Sequence, residues 1–346
     1  MFWNAFVPVL LAAIAWPQAG SDPQPAQGSI ASEPAKVHDL RVPTHLEGLD
    51  LVIPAQERLV FYVELDVAVL GKIRVGSLVI TSNVEEYRAG LPRRGERAED
   101  QPFSQRGFIQ AKAAGGYMGY NVEHEINARI LPQEWPRVIV HDYQSGSENR
   151  RREVMYGTRQ GKPMSWYRRD RHCENCERRE HFVSGLFSDA KHCEGCKRAE
   201  HRDWDAPVMQ PIPEGALDMI SAIFLARELV RTQTGRVDFP LLDKETWWDL
   251  SMVLGESAFI DTPAGTFACR AVKLDPRPPK PGDDLNEFKG LFGIHGTLSI
   301  WLDEATGVPV MIEGLVPLGP MNLDVAIVLA EYQDTPVGFK PADPTR

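Results

Sequence analysis

Residues 172–181 read HCENCERREH, and residues 192–201 read HCEGCKRAEH. Four of the chain's five cysteines and four of its nine histidines lie in this duplicated stretch. Cys173 and Cys176 form one CxxC and Cys193 and Cys196 a second, giving C-x2-C-x16-C-x2-C. That spacing is the one expected of a structural zinc site. Two thiolates three residues apart can grip one ion from a tight turn. A second such turn supplies the other half of a tetrahedron, with Zn–S distances of about 2.3 Å. Gly195 relieves backbone crowding in the second turn, and Asn175, at the matching place in the first, is the next most tolerant residue.

The histidines leave a choice open. Each repeat reads H-C-x2-C-x4-H, so each could bind its own ion through two Cys and two His. A single site with four cysteine ligands is the favoured reading, because His172 and His192 directly precede ligating cysteines and adjacent side chains diverge. His172, His181, His192 and His201 are then alternative ligands, or groups that hydrogen-bond behind the ligands. Arg178, Arg179, Lys191, Lys197 and Arg198 surround the cysteines and favour thiolates. Two disulfides, or a redox dithiol, are the competing uses of the same four cysteines. Disulfides have no need of the repeated histidines, whereas metal binding uses them. Haem attachment is disfavoured, since Glu177 and Lys197 follow the second cysteine of each pair instead of His. The fifth cysteine, Cys269, alternates with apolar neighbours in GTFACRAV and reads as a buried free thiol.

No catalytic signature accompanies this cluster. HEINA at 124–128 lacks the second histidine of a zinc protease helix, GLFGIHG at 290–296 lacks dinucleotide-loop spacing, and neither a phosphate-binding P-loop nor G-x-S-x-G occurs. The reading leans away from an enzyme. His124, His141 and His295 read as structural, and Arg150–Arg152 as a solvated loop. Trp247, Trp248 and Trp301 are candidates to line a ligand cleft, with core packing as the competing role.

The elements that must position these groups are mostly strands. Leu59, Phe61, Val63 and Leu65 alternate with Val60, Tyr62, Glu64 and Asp66, which is strand periodicity. Residues 84–107 are charged and read as a surface loop. Further strand-like runs fall near 117–130, 137–143, 153–156 and 165–168. In PIPEGALDMISAIFLARELVRTQTG, Leu217, Ile220, Ile223, Phe224 and Leu225 fall near helical spacing and predict one main helix over about 215–231. Beyond it, short apolar runs are separated by turn signals such as TPAGTF and EATGVP. The expected fold is mainly β: a curved antiparallel sheet, half-barrel or barrel-like, with one helix and a small Cys/His insertion at 172–201. Residues 51–335 read as a single β-rich domain, and 336–346 as a C-terminal tail.

The N-terminus sets the expected address. An apolar run from Phe6 to Trp16, then small and polar residues, reads as a signal peptide over 1–19, although no Lys or Arg precedes the run. Residues 20–50, rich in Pro, Ser, Ala and Gln, read as a flexible tether. Export to a periplasm or the outside is expected. A lipoprotein is not, because no cysteine follows the apolar run, and no transmembrane span is expected in the mature chain. Acidic residues outnumber basic ones by 48 to 38, a net charge of −10, which argues against a nucleic-acid partner.

Several stretches together resemble a known family. IPAQERLVFYVEL resembles its opening strand pair with Gly71 downstream. ALDMISAIFLAREL resembles its single helix, with Asp218, Ser221, Ala222 and Arg227 in pattern. DTPAGTFACRAVKL resembles its hairpin, and GTLSIWLDEATGVPVMIEG its Ile-Trp-Leu strand and following turn. The chain is identified by this resemblance, over about residues 53–333, as similar to the bacterial exported family of domain of unknown function 3108. The resemblance implies a curved antiparallel sheet in an envelope protein and no known reaction, and the duplicated Cys/His segment stands outside its usual pattern. Two functions are expected to compete. One is a non-enzymatic envelope scaffold with a structural zinc site, which binds an unknown envelope partner. The other is a carrier or sensor that takes a lipid-like apolar molecule into a cavity beneath Trp301 and the helix. A thiol-disulfide redox protein is a third reading.

Overall fold

The computed structural model describes residues 53–67, 71–88, 103–117, 120–131, 137–146, 150–160, 162–172, 192–193, 198–199, 202–243, 246–278, 288, 290, 293–318 and 321–333. The strands in chain order are β1 (Gln56–Val67), β2 (Gly71–Arg88), β3 (Phe103–Tyr117), β4 (Tyr120–Leu131), β5 (Arg137–Gly146), β6 (Arg150–Arg159) and β7 (Lys162–His172). Four short ones follow: β8 (His192–Cys193), β9 (Arg198–Ala199), β10 (Arg202–Trp204) and β11 (Val208–Pro211). β12 (Leu217–Asp218) leads into the helix α1 (Met219–Thr232). The chain ends with β13 (Arg236–Asp243), β14 (Thr246–Thr262), β15 (Gly265–Arg277), β16 (His295–Asp303), β17 (Pro309–Leu318) and β18 (Met321–Gln333).

All but β8 and β9 join one 16-stranded sheet, in the order β10-β7-β6-β5-β4-β3-β2-β1-β18-β17-β16-β15-β14-β13-β12, with β11 also on β7. It is a meander: nearly every strand pairs antiparallel with its sequence neighbour, and β12 with β13 is the parallel exception. The long-range closure is β1 against β18. Register shifts at Val60/Phe61 and Val63/Glu64 kink β1 on both sides, the irregularity that bends a flat sheet into a curved one. The sheet stays open. Residues 212–216 carry the chain from β11 at one edge to β12 at the other, a span of no more than about 20 Å. Strands on both sides of residue 205 therefore share one sheet.

Period two decides which face is dry. Leu59 and Phe61 are buried, as are Leu78 and Ile80 across from them on β2, while Val60 and Tyr62 are not. α1 lies on this inner face against β12 to β16. Every residue from Ile220 to Val230 is buried, so the helix is enclosed all round and is not a surface amphipath. It starts later than the sequence reading placed it. The Asp218 carboxylate caps it, accepting from the Ile220 and Ser221 amides and from Ser221 Oγ. Burial pushes the Asp218 carboxyl up, and those three hydrogen bonds pull against it. The stop is Gln233 in the left-handed region (φ 54°). Turns at TPAG and EATG stand where the sequence placed them, joining β14 to β15 and β16 to β17. The charged stretch 84–107 is in part strand, since β2 runs to Arg88 and β3 begins at Phe103.

Candidate functional site

The duplicated Cys/His segment grows from the edge of the sheet. β7 ends at His172, β10 begins at Arg202, and these two residues are register partners. The base of the excursion is thus pinned by a backbone ladder through Trp204↔Asp170. Inside it, β8 and β9 pair as His192↔Ala199 and Cys193↔Arg198, so the chain reverses around the second CxxC. Cys173, Cys176, Cys196, His181 and His201 lie outside the described residues, and His172, His192 and Cys193 are placed by their backbone alone. Among the described residues no group of three or more His, Cys, Asp or Glu is set to hold a metal.

Cys269 is a buried free thiol, 0% exposed, on β15. Burial, with Asp303 and Glu304 nearby, pushes its thiol up to about 12. A thiol held that far above its ordinary range carries almost no thiolate at pH 8. Cys269 is therefore expected to resist maleimide labelling in the folded protein and to label at once in guanidinium. Rapid labelling of native Cys269, located by peptide mapping, would contradict this burial.

The three tryptophans do not share a cleft. Trp248 is in the core on the inner face, where its ring meets Phe288 edge-on at 5.4 Å. Trp247, its neighbour along the strand, points the other way. Trp301 is also on the outer face, opposite Ala271 and Met311, with Nε1 donating to Glu313 at 2.9 Å. Beneath Trp301 and the helix, the described residues show packed apolar side chains where the cavity was expected. Leu274, Leu298, Ile300 and Ile312 are sealed there, in one cluster with the apolar side chains of α1.

Sequence reasoning missed two polar arrangements. The first is an ion pair in the core: Arg227 of α1 grips Glu57 of β1 through its Nη1 and Nη2, at 3.0 and 2.7 Å. The side chains are 5% and 1% exposed. Asp218, Ser221 and Arg227, noted in the helix pattern, thus serve as cap, cap partner and anchor. The second corrects the reading of Arg150–Arg152 as a solvated loop. These residues open β6, and Arg150 and Arg152 share the inner face with buried Val154 and Tyr156. Across from them on β5 stand Gln144 and Asp142. His124 Nε2 lies 2.6 Å from Asp142 Oδ1. Burial works to raise the Asp142 carboxyl, but the His124 bond and the Arg150 and Arg152 charges outweigh it and hold it below the usual range. On the outer face His141 and Arg168 both meet Glu153. Only pairing reveals these sets, because their members come from three strands.

A trough of about 440 Å³ opens on the outer face, its lining including Glu64, Asp66, Lys72, Glu313 and Asp324. No helix among the described residues is long and apolar enough to cross a membrane.

Residues 189–326 match the family model described as "Protein of unknown function (DUF3108)". The helix, hairpin and Ile-Trp-Leu stretches that carried the resemblance all fall inside it, and IPAQERLVFYVEL precedes it. The match begins within the duplicated segment, so the second CxxC lies inside the matched stretch and the first outside. Among solved structures, one similar chain is "Crystal Structure of Beta-barrel-like Protein of Domain of Unknown Function DUF1849 from Brucella abortus". It is 8% identical with a TM-score of 0.48, and the alignment covers 82% of this chain and 98% of that one. No curated protein matches.

Proposed function

We propose that this chain, whose residues 189–326 carry the DUF3108 pattern, is an exported, non-enzymatic β scaffold with a zinc clasp at its edge. In this reading Cys173, Cys176, Cys193 and Cys196 hold one ion, and the clasp shapes the edge of the sheet for a partner in the envelope. One observation carries it. The ladder Cys193↔Arg198 reverses the chain around the second CxxC, and the His172↔Arg202 pair ties the ends of the excursion together. A hairpin turn is the frame in which two sulfurs of one CxxC can face one point. A segment this short has no room for a core of its own, so a metal that closes it stabilises it directly.

The residues fit the group. Four thiolates make a soft, closed donor set that suits zinc, and a closed set leaves no position for substrate. The basic residues flanking both motifs in sequence offset the double negative charge of a tetrathiolate. Zinc supplies structure here and no chemistry. The carrier reading is less well supported, since α1 covers the inner face of β12 to β16, beneath which an apolar ligand was expected.

The test is elemental analysis with a free-thiol count, on protein purified without added metal or histidine tag. One zinc per chain is expected, lost when Cys173 and Cys193 are both changed to Ser. Release is also expected as pH falls, because protons compete for the thiolates. Two zincs would assign one ion to each repeat and make the histidines ligands. No metal with a single thiol titrating in denaturant, that of Cys269, would mean two disulfides and end the zinc reading.

A further inference from the structure

We propose that the inner rim of the sheet at the start of β6 binds a phosphate group between Arg150 and Arg152. The inference is independent of the clasp and rests on two guanidinium nitrogens that lack a hydrogen-bond acceptor among the described residues. Arg150 and Arg152 are two apart on one strand, so both side chains leave the same face. Arg150 Nε and Arg152 Nη1 are shielded from solvent and have no hydrogen-bond partner among the described residues. A shielded cationic donor without an acceptor is costly, and native proteins fill such donors with protein, water or a bound ion.

The acids at hand do not meet the need. Asp142, the carboxylate facing Arg152 across the ladder, gives Oδ1 to His124 and keeps Oδ2 3.8 Å from Arg152 Nη1, too far for a hydrogen bond. Arg169, across from Arg152 on β7, has its own partner in Asp205 at 3.5 Å. Asp142 and Asp243 are thus the carboxylates whose charges reach Arg152, and neither accepts a hydrogen bond from its Nη1. The strain shows in Arg152, which burial and the neighbouring Arg150 charge both push down, with Tyr167, Asp142 and Asp243 opposing only in part. An oxyanion between the two forks answers both faults: it accepts from the free N–H groups and cancels the repulsion. Planar guanidinium forks suit the oxygens of a phosphate, free or at the head of a lipid.

Thermal unfolding of the full chain, with phosphate against chloride at matched ionic strength, tests the site. Inorganic phosphate is one probe and hexyl phosphate the other. A saturable rise in Tm of about 2–3 °C is expected at tenfold the dissociation constant. Equal potency of the two probes assigns a free phosphate, and a tenfold or greater advantage for hexyl phosphate assigns a lipid head. The double variant R150Q/R152Q should lose the shift while keeping its far-ultraviolet circular dichroism. Asp142→Asn leaves both arginines in place and removes the repelling carboxylate, so phosphate should bind about three- to tenfold tighter. No saturable shift with either probe, a shift that survives in R150Q/R152Q, or weaker binding to Asp142→Asn would each overturn the proposal.

Discussion

Changing Arg227 to methionine should lower the unfolding free energy by about 3–5 kcal/mol, because it strands the Glu57 carboxylate in the core. Both oxygens of Glu57 now accept from Arg227, at 3.0 and 2.7 Å, and neither side chain has water to fall back on. Glu57→Met should cost a similar amount by leaving the guanidinium alone. The double variant is expected to be far closer to wild type than either single one. Two apolar chains of similar length need no partner, and the pair's attraction roughly offsets its desolvation. Urea unfolding of the four proteins, read as a double-mutant cycle, measures the coupling. Single variants within about 1 kcal/mol of wild type would mean that the helix is held by its apolar surface alone.

Trp248 carries the second large expectation. Its side chain is among the largest sealed in the core, 1% exposed, and its ring meets Phe288 at 71°. Truncation to alanine removes the packing and leaves a void, a loss of about 3–5 kcal/mol. Trp248→Phe should keep most of that stability. It retains an aromatic ring against Phe288 and removes an indole N–H that is buried without an acceptor among the described residues. Unfolding midpoints in urea, with unchanged slopes, would establish the order wild type, Trp248→Phe, Trp248→Ala. A Trp248→Ala midpoint equal to wild type would show that the site collapses without cost.

Much of the scaffold was written locally. The alternation of Leu59 and Phe61 with Val60 and Tyr62 names a strand and its dry face, since adjacent side chains on a strand must leave opposite sides. The TPAG and EATG turns were legible for the same reason: a few residues bring the chain back on itself. The helix was found, but its start was read early, because the apolar spacing that begins at Leu217 does not mark the cap, which the Asp218 carboxylate sets. The charged stretch at 84–107 misled at both ends. Charges suit an exposed strand face as well as a loop, and composition alone does not distinguish them.

By itself, the sequence determined the strand periodicity, the main turns, one helix, and a paired CxxC at spacing that suits one ion. Each follows from residues within a few positions of one another. The tertiary structure decided the rest. It chose β18 as the partner of β1 and Glu57 as the partner of Arg227, 170 residues away. It also turned Arg150 and Arg152 inward. A one-residue change of register would send both to the other face, and only pairing with β5 and β7 fixes that register. Long-range pairing is settled by which arrangement buries the most apolar surface while leaving the fewest buried charges alone, a competition no short stretch of sequence contains.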